Sequence, residues 1–238
     1  MDQDIITSSD PSAFRNISYL GIGNRTMFDR RFDAFLTYRA FLFEVSFVDG
    51  LRAEVQVNPE FQTPEAAREK ALKYGWLIGQ LPNVLRSDLR VVWIHKGEQP
   101  LGGNLRLPFD MTGWTHVGQE PLRGTNSLLI HTDQADIYEY NGILEETLVH
   151  EATHTSIDLR HAFSLYWIWA QQSDADFISK YARDFPSRED TAESFLPWMA
   201  LRHRRKRIST EFAGTIETRM CHRLIYFDNQ VFNMFPVR

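Results

Sequence analysis

The chain has 238 residues, 43% hydrophobic, 13% aromatic and 24% charged, with a net charge of −5. That supply of apolar side chains builds one sizeable core, and the charge balance argues against bulk disorder and against a nucleic-acid partner. The apolar stretches fall well short of the roughly 20 residues that cross a bilayer. A single cysteine, Cys221, excludes an internal disulfide and any cysteine-built cluster, so a metal would rest on His, Asp or Glu.

Residues 1–30 read as an N-terminal arm, polar and acidic at its start and without the apolar core of a signal peptide. The domain proper is expected over 31–238. A hairpin comes first: residues 41–47 and 51–57 alternate in hydrophobicity around Asp49-Gly50, a pair suited to a type I′ turn. Thr63-Pro64-Glu65 then opens a helix to about residue 79. Thr63 is the expected cap, Pro64 fits the first turn and Glu65 favours the positive end of the dipole. Short β-rich runs follow at 89–95 (LRVVWIH) and 127–131 (SLLIH). After Gly142 the pattern turns helical to about residue 220, with Ser173/Asp176 and Ser187/Asp190 expected as caps. This order predicts a single α+β domain: a mixed-sheet lobe over about 31–141 with one packed helix, then a helical lobe over about 142–238.

The chemistry concentrates in residues 143–158, ILEETLVHEATHTSID, which contain His150-Glu151-Ala152-Thr153-His154. Helix positions i and i+4 lie on one face, so the two imidazoles can reach one metal ion. Glu151 projects to the side, where it can take a proton from metal-bound water. Leu144, Leu148 and Ala152 form a separate apolar face fit to pack on a sheet. A third ligand is needed. His161 is badly spaced for it. Residues 187–202 predict a second helix carrying Glu189 and Glu193 one turn apart. Glu193, central and four residues before a Pro197 that is expected to kink the helix or begin a new one, is the expected ligand, and Glu189 is the alternative. Asp158 and Asp190 are candidates to hold a ligand imidazole from behind.

An H-E-x-x-H followed by a Glu on a later helix resembles the gluzincin pattern. The residues around Glu193 are similar to the lethal-factor-like and Pro-Pro-endopeptidase-like branch of zinc metallopeptidases. Residues 24–31, 56–61 (QVNPEF), 79–85 (GQLPNVL), 142–158 and 178–195 resemble a largely uncharacterised family of metallopeptidases along nearly the whole chain. That resemblance implies a zincin-like fold and one zinc ion on His150, His154 and Glu193. It also implies Glu151 as general base, a peptide or protein substrate, and leans towards a secreted protein. The branch places a catalytic Tyr about two helical turns before its Glu ligand. Counted from Glu193 that place is near Phe185-Pro186, which leaves Tyr181, further upstream, as the candidate to bind the oxyanion. A metal-binding but inactive interaction module with the same fold is the alternative reading, and hydrolysis of a non-peptide amide a third.

Other features have plainer expectations. The basic run 202–207 (RHRRKR) reads as a solvated helix end. Trp167, Trp169 and Trp198 read as core, and Cys221 as a buried apolar residue. An extended substrate is expected beside an edge strand, with 127–131 and the segment around 114–117 as candidates.

Overall fold

The computed structural model describes residues 4–103 and 126–238. Six strands form one mixed sheet in the order β1-β2-β3-β4-β6-β5: β1 (Phe14–Asp29), β2 (Ala34–Phe47), β3 (Arg52–Val57), β4 (Val91–His95), β5 (Gly102–Gly103) and β6 (Ser127–His131). Strands β3, β4 and β6 run parallel, and the others pair antiparallel. Between β3 and β4 lie α1 (Pro64–Gln80) and α2 (Asn83–Arg86). The remaining helices follow β6: α3 (Thr132–Tyr140), α4 (Leu144–Ser156), α5 (Asp158–His161), α6 (Leu165–Ser173), α7 (Lys180–Asp184), α8 (Asp190–His203), α9 (Thr210–Arg219) and α10 (Cys221–Asp228). The α+β order read from the sequence is therefore present. No helix among the described residues is long and apolar enough to cross a membrane.

The sheet is apolar on both faces, as strands covered on both sides must be. Phe41, Phe43, Val45, Val55, Val57, Val92, Ile94, Leu128 and Ile130 join the main core with α1 and α4. Met27, Phe28, Ala40, Leu42, Trp93 and Leu129 build a smaller core on the opposite face. Helix α1 begins as expected, with the Thr63 hydroxyl accepting the Ala66 N–H. Leu144, Leu148 and Ala152 of α4 are buried. Thr155 and Ser156 anchor the end of α4 to the carbonyls of Ser127 and Leu85.

Several expectations need correction. Residues 14–29, read within an arm, form β1. Register shifts at Phe14/Asn16 and Tyr19/Gly21 break the alternation that would have revealed the strand. Residues before it are not loose either: Ile5 and Ile6 are buried in the main core. The β2–β3 turn has positive φ only at Gly50 (85°), with the Phe47 N–H bonded to Leu51, so it is a three-residue loop rather than a type I′ turn. Ser173 and Ser187 cap nothing; Ser164, Ser179 and Ser209 cap α6, α7 and α9. Pro197 lies inside a continuous α8. In the basic run, Arg207 pairs with Asp10 and Arg202 with Asp228, so those cations clamp the chain. Trp169 is 61% exposed, unlike buried Trp167 and Trp198, and Cys221 is exposed at the start of α10.

One polar cluster escaped the sequence reading. The adjacent parallel strands β4 and β6 both end on histidine, and His95 and His131 stack with ring centroids 5.4 Å apart. Asp29, fully buried, receives Arg31 and the Tyr38 hydroxyl (2.7 Å each) and lies 3.5 Å from His95. The Asn58 amide donates to His95 Nδ1 (2.9 Å), and His131 Nδ1 donates to the Lys96 carbonyl (3.0 Å). Together these contacts pin the tip of the β1–β2 hairpin to the strand ends. Burial pushes His95 down to about 4, against the pull of Asp29. It is thus neutral in the folded chain and protonatable when unfolded. Between pH 6.5 and 4 the unfolded chain binds the extra proton, so folding stability falls as pH drops through that window, by about 3 kcal/mol from this group. Urea unfolding from pH 7 to 4 should show this slope, and His95→Gln should flatten it.

Candidate functional site

Helix α4 carries its two histidines on the face turned towards the start of α8. Gly142, at φ 67°, makes the tight entry into α4 that an L side chain resists. The chain then returns through α5–α7 and brings Glu189 onto the histidines. His150 Nε2 and His154 Nε2 lie 3.2 Å apart. One oxygen of Glu189, Oε2, lies 3.1 Å from His154 Nε2 and 3.4 Å from His150 Nε2. The three donor atoms form a nearly equilateral triangle.

Glu193, the expected carboxylate, is placed differently. It lies one turn further along α8 and meets the other ring nitrogen, His150 Nδ1, at 3.2 Å. The reason is the crossing of the helices. The N-terminal end of α8 passes over the His150–His154 edge, so the Glu at the helix start reaches the shared nitrogens and the next one reaches behind. Asp158 does the same for His154, with Oδ2 2.6 Å from Nδ1. Each imidazole therefore has a carboxylate behind it, which fixes the ring and leaves Nε2 facing the triangle. Asp190, the other candidate for that role, turns away. It binds buried Arg223, which also holds Asp174 at 2.8 Å.

The electrostatics follow from this crowding. Burial opposes charge on both histidines, but Glu189 and Glu193 hold His150 up at about 9, and Asp158 and Glu189 hold His154 at about 10. Burial raises Glu189, yet the two imidazoles outweigh it and keep its carboxyl well below the usual range. The site thus gathers three carboxylates, Glu189, Glu193 and Asp158, around two imidazoles. Arg188 contacts the other Glu189 oxygen at 3.3 Å.

Glu151 makes no side-chain contact with the triangle but lies close enough for its charge to act on His150, His154 and Tyr181. Tyr181, at the start of α7 and 45% exposed, lies close enough to Glu189 for its charge to act on the hydroxyl. Burial, then the Glu189 charge, raises its pKa. The sheet also reaches this place. Gly103 of β5 lies against the α4 backbone so closely that a Cβ there would come within 1.8 Å of the Glu151 carbonyl oxygen. Among the described residues β5 is an edge strand, whereas β6 (Ser127–His131), expected as one, is interior; residues 114–117 lie outside the described residues.

His161, the other weighed ligand, bonds the Tyr226 hydroxyl instead (2.7 Å). One further group of donor atoms occurs among the described residues, at Asp174, Cys221 and His222. There Asp174 caps α10 through the His222 and Arg223 N–H groups and neutralises Arg223, which accounts for it fully. No family model, no curated protein and no solved structure matches this chain.

Two predictions follow from this arrangement. If the triangle holds zinc, the affinity, measured by competition with a chromophoric chelator, should fall more than about 100-fold in Glu189→Gln and only about 10–100-fold in Glu193→Gln. Arg223→Ala should lower the unfolding free energy by about 3–5 kcal/mol in urea, because it leaves two buried carboxylates unpaired.

Proposed function

We propose that the protein is a zinc-dependent peptidase of the gluzincin type, with a zincin-like fold, in which His150, His154 and Glu189 hold one zinc ion. The observation that carries this reading is the triangle of His150 Nε2, His154 Nε2 and Glu189 Oε2, with edges of 3.1, 3.2 and 3.4 Å. Tetrahedral zinc with ligand bonds near 2.0–2.1 Å needs donors roughly 3.3 Å apart, and the donor set of two imidazoles and a carboxylate suits it. Three protein ligands leave a fourth position for water or substrate.

When bound, zinc supplies Lewis acidity and lowers the pKa of its water towards about 7. The rest of the chemistry belongs to side chains. Glu151 takes the proton of the attacking water and delivers it to the leaving amine. Asp158 and Glu193 hold the two imidazoles in the Nδ1–H form. Tyr181 donates its hydroxyl hydrogen to the oxyanion that forms on the scissile carbonyl.

The choice of Glu189 also supports Tyr181. Tyr181 stands eight positions before Glu189, the sequence separation that about two helical turns span in the lethal-factor-like branch, although here α7 ends at Asp184 and α8 begins at Asp190. Counted from Glu193, that spacing falls on Phe185-Pro186. An extended peptide would lie along β5, the edge strand among the described residues, which the Gly103 contact brings beside Glu151.

The reading is tested by digestion of a broad peptide library with zinc-loaded protein. Glu151→Gln should abolish cleavage while binding zinc normally. Tyr181→Phe should lower kcat by about 100–1,000-fold with zinc retained. Zinc-dependent binding without any cleavage would favour the interaction module.

A further inference from the structure

We propose that the outer face of α6 and α10 is the interface of a two-fold symmetric dimer of this chain. The proposal goes beyond the hydrolytic reading and does not depend on it. On α6, Trp167 turns inward and packs on Tyr226 and Phe227 of α10, with ring centroids 5.2 and 5.0 Å apart. Leu165, Tyr166 and Trp169 lie outward on the same helix, within about one turn of each other. The Trp169 ring stands edge-on to His222 of α10 at 5.4 Å, and Ile225 follows three residues along that helix. The outer faces of the two helices therefore join. Leu159 and Phe163 precede them, on α5 and in the turn after it. All six side chains stand out from the surface, between 55% and 82% exposed.

The area sets the size of the partner. Aromatic side chains bury about 150–250 Å² each, so these six offer on the order of 700 Å² of apolar surface. The largest patch on an ordinary monomer is about 300–600 Å², whereas each side of a standard protein interface gives up about 800 Å². A small molecule would cover only part of such a face. The residue types also match the core of a homodimer interface, which is rich in aromatic side chains and poor in charge.

Charge decides what the partner is. Residues 161–173 contain no Asp, Glu, Lys or Arg. A two-fold axis sets a face against its own copy, so an uncharged face meets itself without like-charge repulsion. A lipid surface is the rival occupant, but helices that lie in a membrane interface carry Lys and Arg on their polar side to meet anionic headgroups. Here the flanking Arg160 is closed on Asp88 at 2.8 Å, and the chain as a whole carries a net charge of −5. A second copy needs no cation and removes both sets of aromatic side chains from water at once.

The test is sedimentation velocity of the full chain over a range of concentrations, with a chelator present and with a reductant so that Cys221 cannot cross-link. The chain should sediment at twice its monomer mass, and Trp169→Glu and Leu165→Glu should each weaken the dimer at least about 30-fold. Both positions are exposed, so circular dichroism of the variants should match the parent. Tyr140→Glu, on the exposed end of α3, should leave the dimer intact. In thermal unfolding the midpoint of the parent should rise with protein concentration, and that of Trp169→Glu should not. A monomer at concentrations up to about 100 μM, a dimer that survives both substitutions, or one that Tyr140→Glu dissolves equally, would overturn the proposal. Because the readout is mass without metal, failure here leaves the peptidase reading standing, and failure of that reading leaves this one standing.

Discussion

Much of this molecule serves to hold one carboxylate against two imidazoles. Burying Glu189, His150 and His154 together strips three polar groups of water, and that desolvation is recovered only if the groups meet with good geometry. A helix alone sets the histidine spacing, but it cannot supply the carboxylate. The carboxylate arrives because α8 starts over the histidine edge of α4, and the sheet under α4 gives that crossing a rigid floor.

Around this contact the charges are paired outwards in layers. Glu193 and Asp158 stand behind the imidazoles, and Arg188 meets the free oxygen of Glu189. One residue on from Glu189, Asp190 ties α8 to α10 through Arg223, whose other partner, Asp174, closes the start of α10. The position of Glu189 is thus coupled to a fully buried ion network, and the proposed zinc site inherits its precision from it. The same economy appears at the other end of α4, where Glu146 reaches the N-terminal segment.

The sequence made some of this plain. The H-E-x-x-H helix, its apolar face, the capped α1 and the short apolar strands follow from periodicity and cap chemistry. The third donor does not. Glu189 and Glu193 are four residues apart and share a helix face, so periodicity treats them alike. Only the point at which α8 crosses α4 separates them, and that is a tertiary fact. Strand β1 was hidden because its register shifts twice and most of its residues are exposed or half-buried. His95 and His131 had a signal that went unused: each ends an apolar strand, where a polar group enters the core only with a partner. The role of Arg207 depends on Asp10, 197 residues away in sequence, beyond any local pattern.

The most direct measurement is anomalous diffraction at the zinc edge from crystals of the zinc-loaded protein. The account predicts one strong peak about 2.0–2.2 Å from His150 Nε2, His154 Nε2 and a Glu189 oxygen, with Glu193 still on His150 Nδ1. A peak coordinated by Glu193, or no peak between α4 and α8, would contradict it.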